Sequence, residues 1–418
     1  MKKVLILTET AGNGHNACAR DIKAKLEEIG GVEVKVVDIL KEYSTAWNVW
    51  VVDKGYSLAV SKLLPIYDMF YNHYLRLKPE TRYKNMAQGT VNSTLNGLLK
   101  EILDFKPDVI FCTHYNAGIA LTNLRLVYDI PCMVVEVNLD YVNSPFWEST
   151  IGVDYFVIPD EDFIEESIAE GFSREQLLPL GHPVSEKTLK SYDKKIARQE
   201  LGLDPNTFTI MVMFGGGYWS GGFKIFKDVI KIVEGRKVQI IMINGRNQKS
   251  FNKISKMKFA EGTTVLNLGF TDKIPLCQSA CDIIVNKFGG ACSVEMLNAG
   301  LPMLITEKIP AQEKYSLEYV KKKGAALSFK NFKELKENLL NMMDDETLRK
   351  SMSEKTVPFR KNATQGIADL IIGAPKADYT KLIEENIDFT QVKRKVKKAL
   401  RTANKEEKTK AKRERRTK

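Results

Sequence analysis

Residues 286–319 constrain the fold more than any other stretch, because in them a glycine turn and a short helix connect two buried strands. The apolar run at 283–285 predicts the first strand, and the run at 303–305 predicts the second. Between them, residues 289–290 provide a glycine turn and residues 292–299 are predicted to form a helix. A strand, a turn, a helix and a second strand in this order predict a Rossmann-like α/β unit.

The helix of this unit is predicted to point its N-terminus into a crevice. Gly300 occupies the position where a helix ends in the left-handed conformation, and a polar loop with Gln312 and Glu313 is predicted after the second strand. Parallel strands end together at one edge of a sheet, and the N–H groups at a helix N-terminus attract anions. The unit therefore predicts a nucleotide site.

The rest of the chain repeats the alternation of buried strands and amphipathic helices. Further strands are predicted at residues 4–7, 34–37, 109–112, 132–137, 155–158, 208–214, 238–243, 265–269 and 325–327. With 418 residues the chain is long enough for two domains, and the charged stretch 186–198 is predicted to cross between them. We predict an α/β protein with one domain at 1–185, a second at 186–375, a cleft between them and a basic tail at 376–418.

The positive charge of the chain is concentrated at its C-terminus. Residues 391–418 contain 14 Lys/Arg and 3 Asp/Glu, whereas the rest of the chain has 49 of each, so the formal charge of +11 belongs to the tail. Residues 392–400 predict a weakly amphipathic basic helix, and disorder is expected beyond Arg401. No aromatic residue follows Phe389 to stack on bases, so a nucleic-acid partner is not expected.

Residues 43–86 combine many aromatic side chains with Lys and Arg. Two interpretations stay open: rings and cations that meet an anionic membrane surface, or a helical insertion whose aromatics pack on its own domain. No run of about 18 apolar residues predicts a transmembrane helix, and the first strand-like run leaves no room for a signal peptide. The six scattered cysteines are expected to be reduced thiols of a cytoplasmic protein, and Cys277 and Cys281 lack the further ligands of a zinc site.

Five motifs, in this order along the chain, resemble those of one enzyme family. They are Gly12-Asn13-Gly14-His15; Asp140 with Trp147; Asn244-Gly245-Arg246-Asn247; Gly289-Gly290 with Glu295; and Ala299-Gly300-Leu301-Pro302 with Pro310-Ala311-Gln312-Glu313-Lys314. Together they are similar to the glycosyltransferases that build glycolipids from diacylglycerol, which include monogalactosyldiacylglycerol synthases and processive diacylglycerol glucosyltransferases (glycosyltransferase family 28). The resemblance covers about residues 1–375 and implies the GT-B fold, in which an N-terminal acceptor domain faces a C-terminal UDP-sugar domain.

The resemblance implies that the protein is an inverting glycosyltransferase. It would move a hexose from UDP-glucose or UDP-galactose to a lipid acceptor, 1,2-diacylglycerol above all, with no metal ion and no further cofactor. His15 would take the proton of the acceptor hydroxyl, and Asp140 would orient His15 or bind that hydroxyl. From the residues alone, His15 is also consistent with a helix cap, and Asp140 with a hydrogen-bonded carboxylate at a strand end.

The resemblance also implies the contacts of both substrates. The diphosphate would meet the backbone at Gly215, Gly216, Gly289, Gly290 and Ser293. Glu295 would accept the ribose hydroxyls, Gln312 and Glu313 would hold the hydroxyls of the sugar, and Arg246 or Asn247 would contact the base or a phosphate. On the acceptor side, the matched residues are Gly12, Asn13, Gly14 and Trp147. A ligand-free mobile loop at 215–217 and a solvated Glu295 are the corresponding alternatives without a nucleotide.

The chain departs from the family pattern at Ser144, at Ala311 and at residues 291–293 and 314–316. These departures affect the identity of the sugar and of the acceptor more than the fold, so glucose, galactose and N-acetylglucosamine all stay candidates. Two alternative enzymes share the GT-B plan, a UDP-GlcNAc 2-epimerase-like protein and a GlcNAc transferase with another lipid acceptor. For the favoured function, the enzyme is expected at the inner face of the cell membrane, held peripherally by residues 43–86 and 391–418.

Overall fold

The computed structural model describes residues 1–10, 13–50, 55, 58–59, 63–77, 87–214 and 221–417. Within them the chain forms two six-stranded sheets with helices between successive strands. All neighbouring strands in these sheets run parallel. Parallel strands need crossover connections, and the helical stretches between the apolar runs supply them. The predicted class, α/β with two Rossmann-like domains, is confirmed.

The first sheet belongs to the N-terminal domain and has the order β2-β1-β3-β4-β5-β6. Its strands are β1 Lys2–Thr8, β2 Val32–Asp38, β3 Val109–Cys112, β4 Met133–Val137, β5 Tyr155–Val157 and β6 Leu177–Leu178. Strand β3 pairs with β1, and Leu5 lies opposite Ile110. Both side chains are fully buried, as expected for a parallel sheet that helices cover on both sides.

The helices of the N-terminal domain connect these strands. They are α1 Asn13–Ile29, α2 Ile39–Tyr43, α3 Ala46–Trp50, α4 Leu64–Arg76, α5 Ala87–Phe105, α6 Tyr115–Arg125 and α7 Ile164–Ala169. Helix α1 packs on the sheet through Ile22 and Leu26, which are buried against Val4 and Ile6. Their spacing of four residues places both on one side of the helix. Packing of α1 fixes where its N-terminus, and with it His15, meets the edge of the sheet.

The second sheet has the order β12-β11-β10-β7-β8-β9. Its strands are β7 Thr209–Met213, β8 Val238–Ile243, β9 Thr263–Leu268, β10 Ile283–Lys287, β11 Met303–Thr306 and β12 Ala326–Phe329. The helices of this half are α8 Lys194–Glu200, α9 Gly222–Ile232, α10 Gln248–Ile254, α11 Ile274–Ala280, α12 Gly290–Asn298, α13 Ala311–Lys322, α14 Phe332–Asp344 and α15 Glu346–Glu354. As predicted, Gly300 follows α12 in the left-handed region, with φ +74°. A Cβ atom there would lie 2.2 Å from Nη2 of Arg360.

After the second sheet, the chain returns to the first domain. Three helices follow: α16 Ala363–Gly373, α17 Thr380–Glu384 and α18 Val392–Thr417. The apolar side of α16 is buried against the first sheet, where Ile367 and Ile371 join the cluster around Val4. Our prediction placed these residues in the second domain because it followed chain order. The structure instead places the packing surface of α16 on the first domain.

The basic tail also begins as part of the N-terminal domain. Val392 and Val396 of α18 are fully buried in the core cluster that contains Leu95 of α5 and Leu121 of α6. The structure continues α18 to Thr417, where we expected disorder beyond Arg401. Two valines four residues apart form a narrow apolar stripe that docks the first turns of the helix. None of the helices in the described ranges combines the length and the apolar character needed to cross a bilayer.

Candidate active site

Each of the two sheets has a switch point, at which the strand order reverses. In the first sheet, β1 lies between β2 and β3, so the connections after β1 and β3 lead away in opposite directions. In the second sheet, β7 lies between β8 and β10, with the same consequence. His15 follows β1, Thr113 follows β3 and Gly289 follows β10. Two of the predicted site residues, His15 and Gly289, therefore lie at the switch points of the two sheets, where parallel sheets bind ligands.

The N-termini of α1 and α12 meet between the two sheets. Gly14 lies in the first turn of α1, and Gly290 is the first residue of α12. A Cβ atom on Gly290 would lie 3.9 Å from the Cα atom of Gly14. Each N-terminus carries the positive end of a helix dipole and N–H groups that have no partner within the helix. Two positive helix ends that face each other form a site that favours an anion between them. A diphosphate carries the negative charge that such a site binds.

His15 connects the two strand ends of the first domain. Its Nδ1 atom is hydrogen-bonded to the backbone carbonyl of Thr113. Because a carbonyl oxygen only accepts, Nδ1 carries the proton and Nε2 keeps its lone pair. Burial, followed by the neighbouring His114, lowers the pKa of His15 to about 3, against the opposite effects of the Thr113 carbonyl and Glu9. The imidazole is therefore neutral at physiological pH, with Nε2 as its basic atom.

Glu9, His114 and Asn116 form a buried polar layer behind His15. The His114 ring meets the His15 ring edge to face, with centroids 4.6 Å apart. Both oxygens of Glu9 accept hydrogen bonds from Asn116 Nδ2, at 3.1 and 2.9 Å. Oε2 of Glu9 also lies 3.4 Å from Nδ1 of His114. Burial raises the pKa of Glu9 to about 7, so Glu9 holds a proton for part of the time near neutral pH.

Glu295 of α12 lies across the crevice from Asp21 of α1. Burial, followed by the charge of Asp21, raises the pKa of Glu295 to about 7. Burial also raises the pKa of Asp21 to about 6. A half-buried carboxyl group at this place suits the hydroxyl groups of a ribose, because they can donate hydrogen bonds to its oxygens.

Ser293 stabilises the glycine turn from inside α12. Its Oγ accepts a hydrogen bond from the Gly289 N–H at 3.0 Å, and the side chain is fully buried. The hydroxyl is thus directed at the turn. We predicted Ser293 as a diphosphate contact, and in this geometry it supports the backbone that would make the contact.

Lys287 is a cation at the centre of the crevice that we did not single out from the sequence. It ends β10, and its Nζ binds both carboxylate oxygens of Glu313, at 2.8 and 3.0 Å. From the other domain, Asp140 approaches Glu313: burial, followed by the charge of Glu313, raises the pKa of Asp140 to about 7. A lysine that ends an otherwise apolar strand, directly before a glycine turn, was the signal available in the sequence.

Gln312 and Glu313 lie in a helix, and the predicted polar loop at this position is wrong. Helix α13 begins at Ala311, directly after Pro310. We interpreted Pro310 as a loop residue, although proline is also well tolerated at a helix start. Oε1 of Gln312 accepts a hydrogen bond from the Tyr67 hydroxyl of α4, so the two domains meet again at this point.

Comparison with known proteins identifies the N-terminal part of the chain. Residues 15–184 match the family model described as monogalactosyldiacylglycerol (MGDG) synthase. This part of the chain is similar to that family. The matched part contains His15, Asp140 and Trp147, and the resemblance inferred from the motifs is confirmed.

The relatives of the MGDG synthase family extend the match into the second domain. The chain is 28% identical over 351 residues to a probable chloroplastic monogalactosyldiacylglycerol synthase of Glycine max, covering 80% of this chain and 64% of the relative. It is 26% identical over 357 residues to a processive diacylglycerol beta-glucosyltransferase of Staphylococcus carnosus, covering 85% of this chain and 88% of the relative. The chain thus spans slightly less than two thirds of the plant relative.

Among solved structures, the chain resembles Acinetobacter baumannii MurG. The two share 16% of their residues at a TM-score of 0.57, over 89% of this chain and 99% of the other. At this identity the likeness concerns the fold alone. Together with the two facing parallel sheets, it confirms the predicted GT-B architecture.

The MGDG synthase motif residues Asp140 and Trp147 have different surroundings. The charges that act on His15 come from His114 and Glu9, whereas the charge that acts on Asp140 comes from Glu313 of the other domain. Trp147 is only 4% exposed, and its ring lies 4.9 Å from that of Phe156 in the core. Trp147 could therefore affect an acceptor site only by supporting the residues that line it.

The remaining predicted residues of the MGDG synthase resemblance lie at the margin of the described site. Arg246 lies over the Phe270 ring at 5.5 Å, and the Asn247 side chain caps α10 by accepting from the Ser250 N–H at 3.0 Å. Both follow β8, one strand away from the switch point. Gly12, Gly215, Gly216 and the Asn13 side chain fall outside the described residues. In the part of the chain that the structure describes, no three His, Cys, Asp or Glu side chains cluster to hold a metal ion.

Proposed function

We propose that this protein is an inverting glycosyltransferase that moves a hexose from a UDP-sugar to diacylglycerol. The observation that carries the proposal is the meeting of the α1 and α12 N-termini with His15 in the first turn of α1. This arrangement combines a site for a diphosphate leaving group with a neutral base beside it. The named activities of the relatives supply the substrate classes, diacylglycerol as acceptor and a hexose as transferred group.

In the proposed reaction, Nε2 of His15 takes the proton of the acceptor hydroxyl. The hydroxyl oxygen then attacks the anomeric carbon on the side opposite the UDP oxygen, the bond to UDP breaks, and the configuration of the carbon inverts. The negative charge that develops on UDP falls between the two helix N-termini, beside Lys287. Glu295 is assigned to the ribose, and Gln312 and Glu313 to the sugar hydroxyls. Asp140, close to Glu313, is assigned to the incoming acceptor.

Burial lowers the pKa of His15 to about 3, and binding of the proposed donor would raise it. A diphosphate at the two N-termini would bring negative charge close to the imidazole. Such charge favours the protonated ring and raises its pKa towards the range in which a general base is effective. Binding of the donor would therefore prepare the base.

A membrane surface is the proposed location of the acceptor. Trp47 and Phe70 expose 69% and 57% of their surfaces, next to the also exposed Trp50 and Met69. Exposed rings of this kind suit the headgroup region of a bilayer, where the basic tail would meet anionic lipid. This favours the membrane interpretation for the described part of residues 43–86, although Tyr67 and Tyr71 are half-buried against the rest of the protein.

The decisive experiment offers the protein diacylglycerol in vesicles together with UDP-glucose, UDP-galactose or UDP-GlcNAc, identifies the products by mass and determines their anomeric configuration by proton NMR. We expect a monohexosyl diacylglycerol with inverted anomeric configuration. A UDP-GlcNAc 2-epimerase-like enzyme would instead convert its UDP-sugar equally well without lipid. Turnover that ignores diacylglycerol would overturn the proposed function.

A further inference from the structure

Helix α4 of the N-terminal domain lies against helix α13 of the C-terminal domain. Its residues Tyr67, Asp68 and Asn72 each hydrogen-bond to α13. Asp68 and Asn72 are four positions apart and Tyr67 precedes Asp68, so the three lie on one side of α4. The helix that carries the exposed Phe70 ring is thereby joined to the helix that holds Gln312 and Glu313.

Asp68 caps the N-terminus of α13 from the other domain. Its Oδ1 accepts a hydrogen bond from the Ala311 N–H at 2.8 Å, and Oδ2 forms an ion pair with Lys314. The cap position of α13 is held by Pro310, which makes no side-chain cap of its own. First-turn N–H groups need a partner outside their helix, and a carboxylate is a strong one. The start of α13 therefore depends on a residue of α4.

Tyr67 orients the amide of Gln312. The phenol hydroxyl donates to Oε1, which fixes Oε1 on the side of α4 and thereby sets the orientation of the amide. On the next turn, the Tyr315 hydroxyl donates to Oδ1 of Asn72 at 2.9 Å. Two contacts one turn apart hold α13 against rotation about its axis, which would move Gln312 and Glu313 together.

We propose that Tyr67 and Asp68 are positioning residues of the donor-sugar site, supplied by the acceptor domain. They act through Gln312 and the first turn of α13, and they set the orientation in which the transferred sugar is recognised. The inference rests on the proposed function, because Gln312 and Glu313 are assigned there to the sugar. It adds that discrimination between hexoses depends on α4, whose opposite side exposes Ile66, Met69 and Phe70.

The test compares binding of UDP-glucose, UDP-galactose and UDP by calorimetry in Tyr67→Phe, Asp68→Ala and wild-type full-length protein. We expect both variants to weaken binding of the preferred UDP-sugar by about 2- to 10-fold, since Tyr67→Phe removes one hydrogen bond and Asp68→Ala removes one hydrogen bond and a partly exposed ion pair. Binding of UDP should stay within about twofold, because UDP lacks the sugar that α13 contacts. A merely structural role would weaken UDP and UDP-sugar together, and that result would overturn the proposal.

Asp228→Asn is the matched control, because it removes a Lys–Asp pair on the surface of α9, between Lys224 and Asp228 at 3.0 Å. It should bind all three nucleotides like the wild type. Hydrogen exchange provides a readout that needs no ligand: Asp68→Ala should speed exchange of the first-turn amides of α13, and unchanged exchange would contradict the cap. In steady-state assays, KM for the UDP-sugar should rise while KM for diacylglycerol stays constant.

The two proposals fail in different ways. Absence of any glycolipid product from the wild-type protein would overturn the proposed function, whatever the variants bind. The positioning role would be overturned if, in both variants, the ratio of UDP-sugar affinity to UDP affinity equals that of the wild type. This holds even if the wild-type protein makes glycolipid efficiently.

Discussion

The imidazole of His15 donates its Nδ1 proton to the backbone carbonyl of Thr113, which ties the residue after β1 to the residue after β3. The two strands are neighbours only because the sheet reverses its order at this point. The bond fixes both the tautomer and the direction of the ring, so that Nε2 is the atom available for proton transfer.

This geometry predicts the state of His15 in the free protein. Because the pKa is lowered to about 3, the ring should remain neutral, with the proton on Nδ1, from pH 8 down to about pH 5. Nitrogen-15 NMR of histidine-labelled protein measures both the charge and the tautomer. A cationic ring at pH 5, or a neutral ring protonated at Nε2, would contradict the assignment.

Replacement of His15 should affect transfer far more than donor binding. His15→Ala removes the proposed base, and we expect kcat to fall by about 100- to 10,000-fold. The affinity for UDP should change by less than about threefold, because the anion site consists of backbone N–H groups and Lys287. Calorimetry with UDP and a glycolipid assay on the same preparation separate the two effects. Equal losses in both would indicate that the substitution disrupts the crevice as a whole.

Lys287 should contribute to both donor binding and stability. Lys287→Met leaves Glu313 without its cation in a half-buried place, and we expect a loss of about 1–3 kcal/mol in the free energy of unfolding near pH 8. UDP binding should weaken by about 10-fold or more, since a positive charge next to the diphosphate is lost. Lys224→Met removes an exposed lysine of similar size and should change neither. Lys287→Arg keeps the charge and should retain most of the affinity.

Glu295 should make stability depend on pH in a defined direction. Its pKa in the folded protein is raised to about 7, above that of an unfolded glutamate, so folding is favoured when the group is protonated. The contribution of protonated Glu295 to the free energy of unfolding is fully present below about pH 4.5. It is lost as the pH rises to about 7, because the group then ionises in the folded protein. Glu295→Gln, which is never charged, should therefore raise the Tm at pH 8 by about 2 °C or more and leave it nearly unchanged at pH 4.5.

Asp21 provides a second test of the pH dependence expected for Glu295. Asp21 faces Glu295, and burial raises its pKa to about 6, so Asp21→Asn should show the same trend in Tm. The double variant should gain less than the sum of the two single variants, because each substitution removes the same repulsion. A Tm difference independent of pH would contradict this account.

The role of the basic tail in membrane binding can be tested with a truncation that leaves the core intact. Deletion from residue 391 would remove Val392 and Val396, which are buried, so a truncation after Arg401 is the cleaner variant. It removes eight Lys/Arg and three Asp/Glu. We expect weaker binding to vesicles with anionic lipid, on the scale of about 1 kcal/mol per basic residue that reaches the surface, with UDP binding unchanged. Unchanged vesicle binding would show that the tail does not contact the membrane.

The sequence by itself determined the local units of this protein. Apolar runs identified every long strand, and for central strands such as β3 and β7 the reason is that a strand buried on both faces must be apolar along its length. The glycine turns and His15 were visible for a similar local reason, since each motif lies within a few residues. These units and their order were enough to indicate two Rossmann-like domains and the family.

The tertiary structure decided which groups from distant parts of the chain meet. Glu9 and Thr113 surround His15 through strand pairing, Asp140 approaches Glu313 across the crevice, and Asp68 caps α13 from the other domain. None of these contacts leaves a periodic pattern in the sequence, because the first depends on which strands pair in the first sheet and the other two depend on the packing of the two domains. The return of α16 to the first sheet was missed for the same reason. Periodicity predicted the helix, but its partner was set by which apolar surface was left to cover.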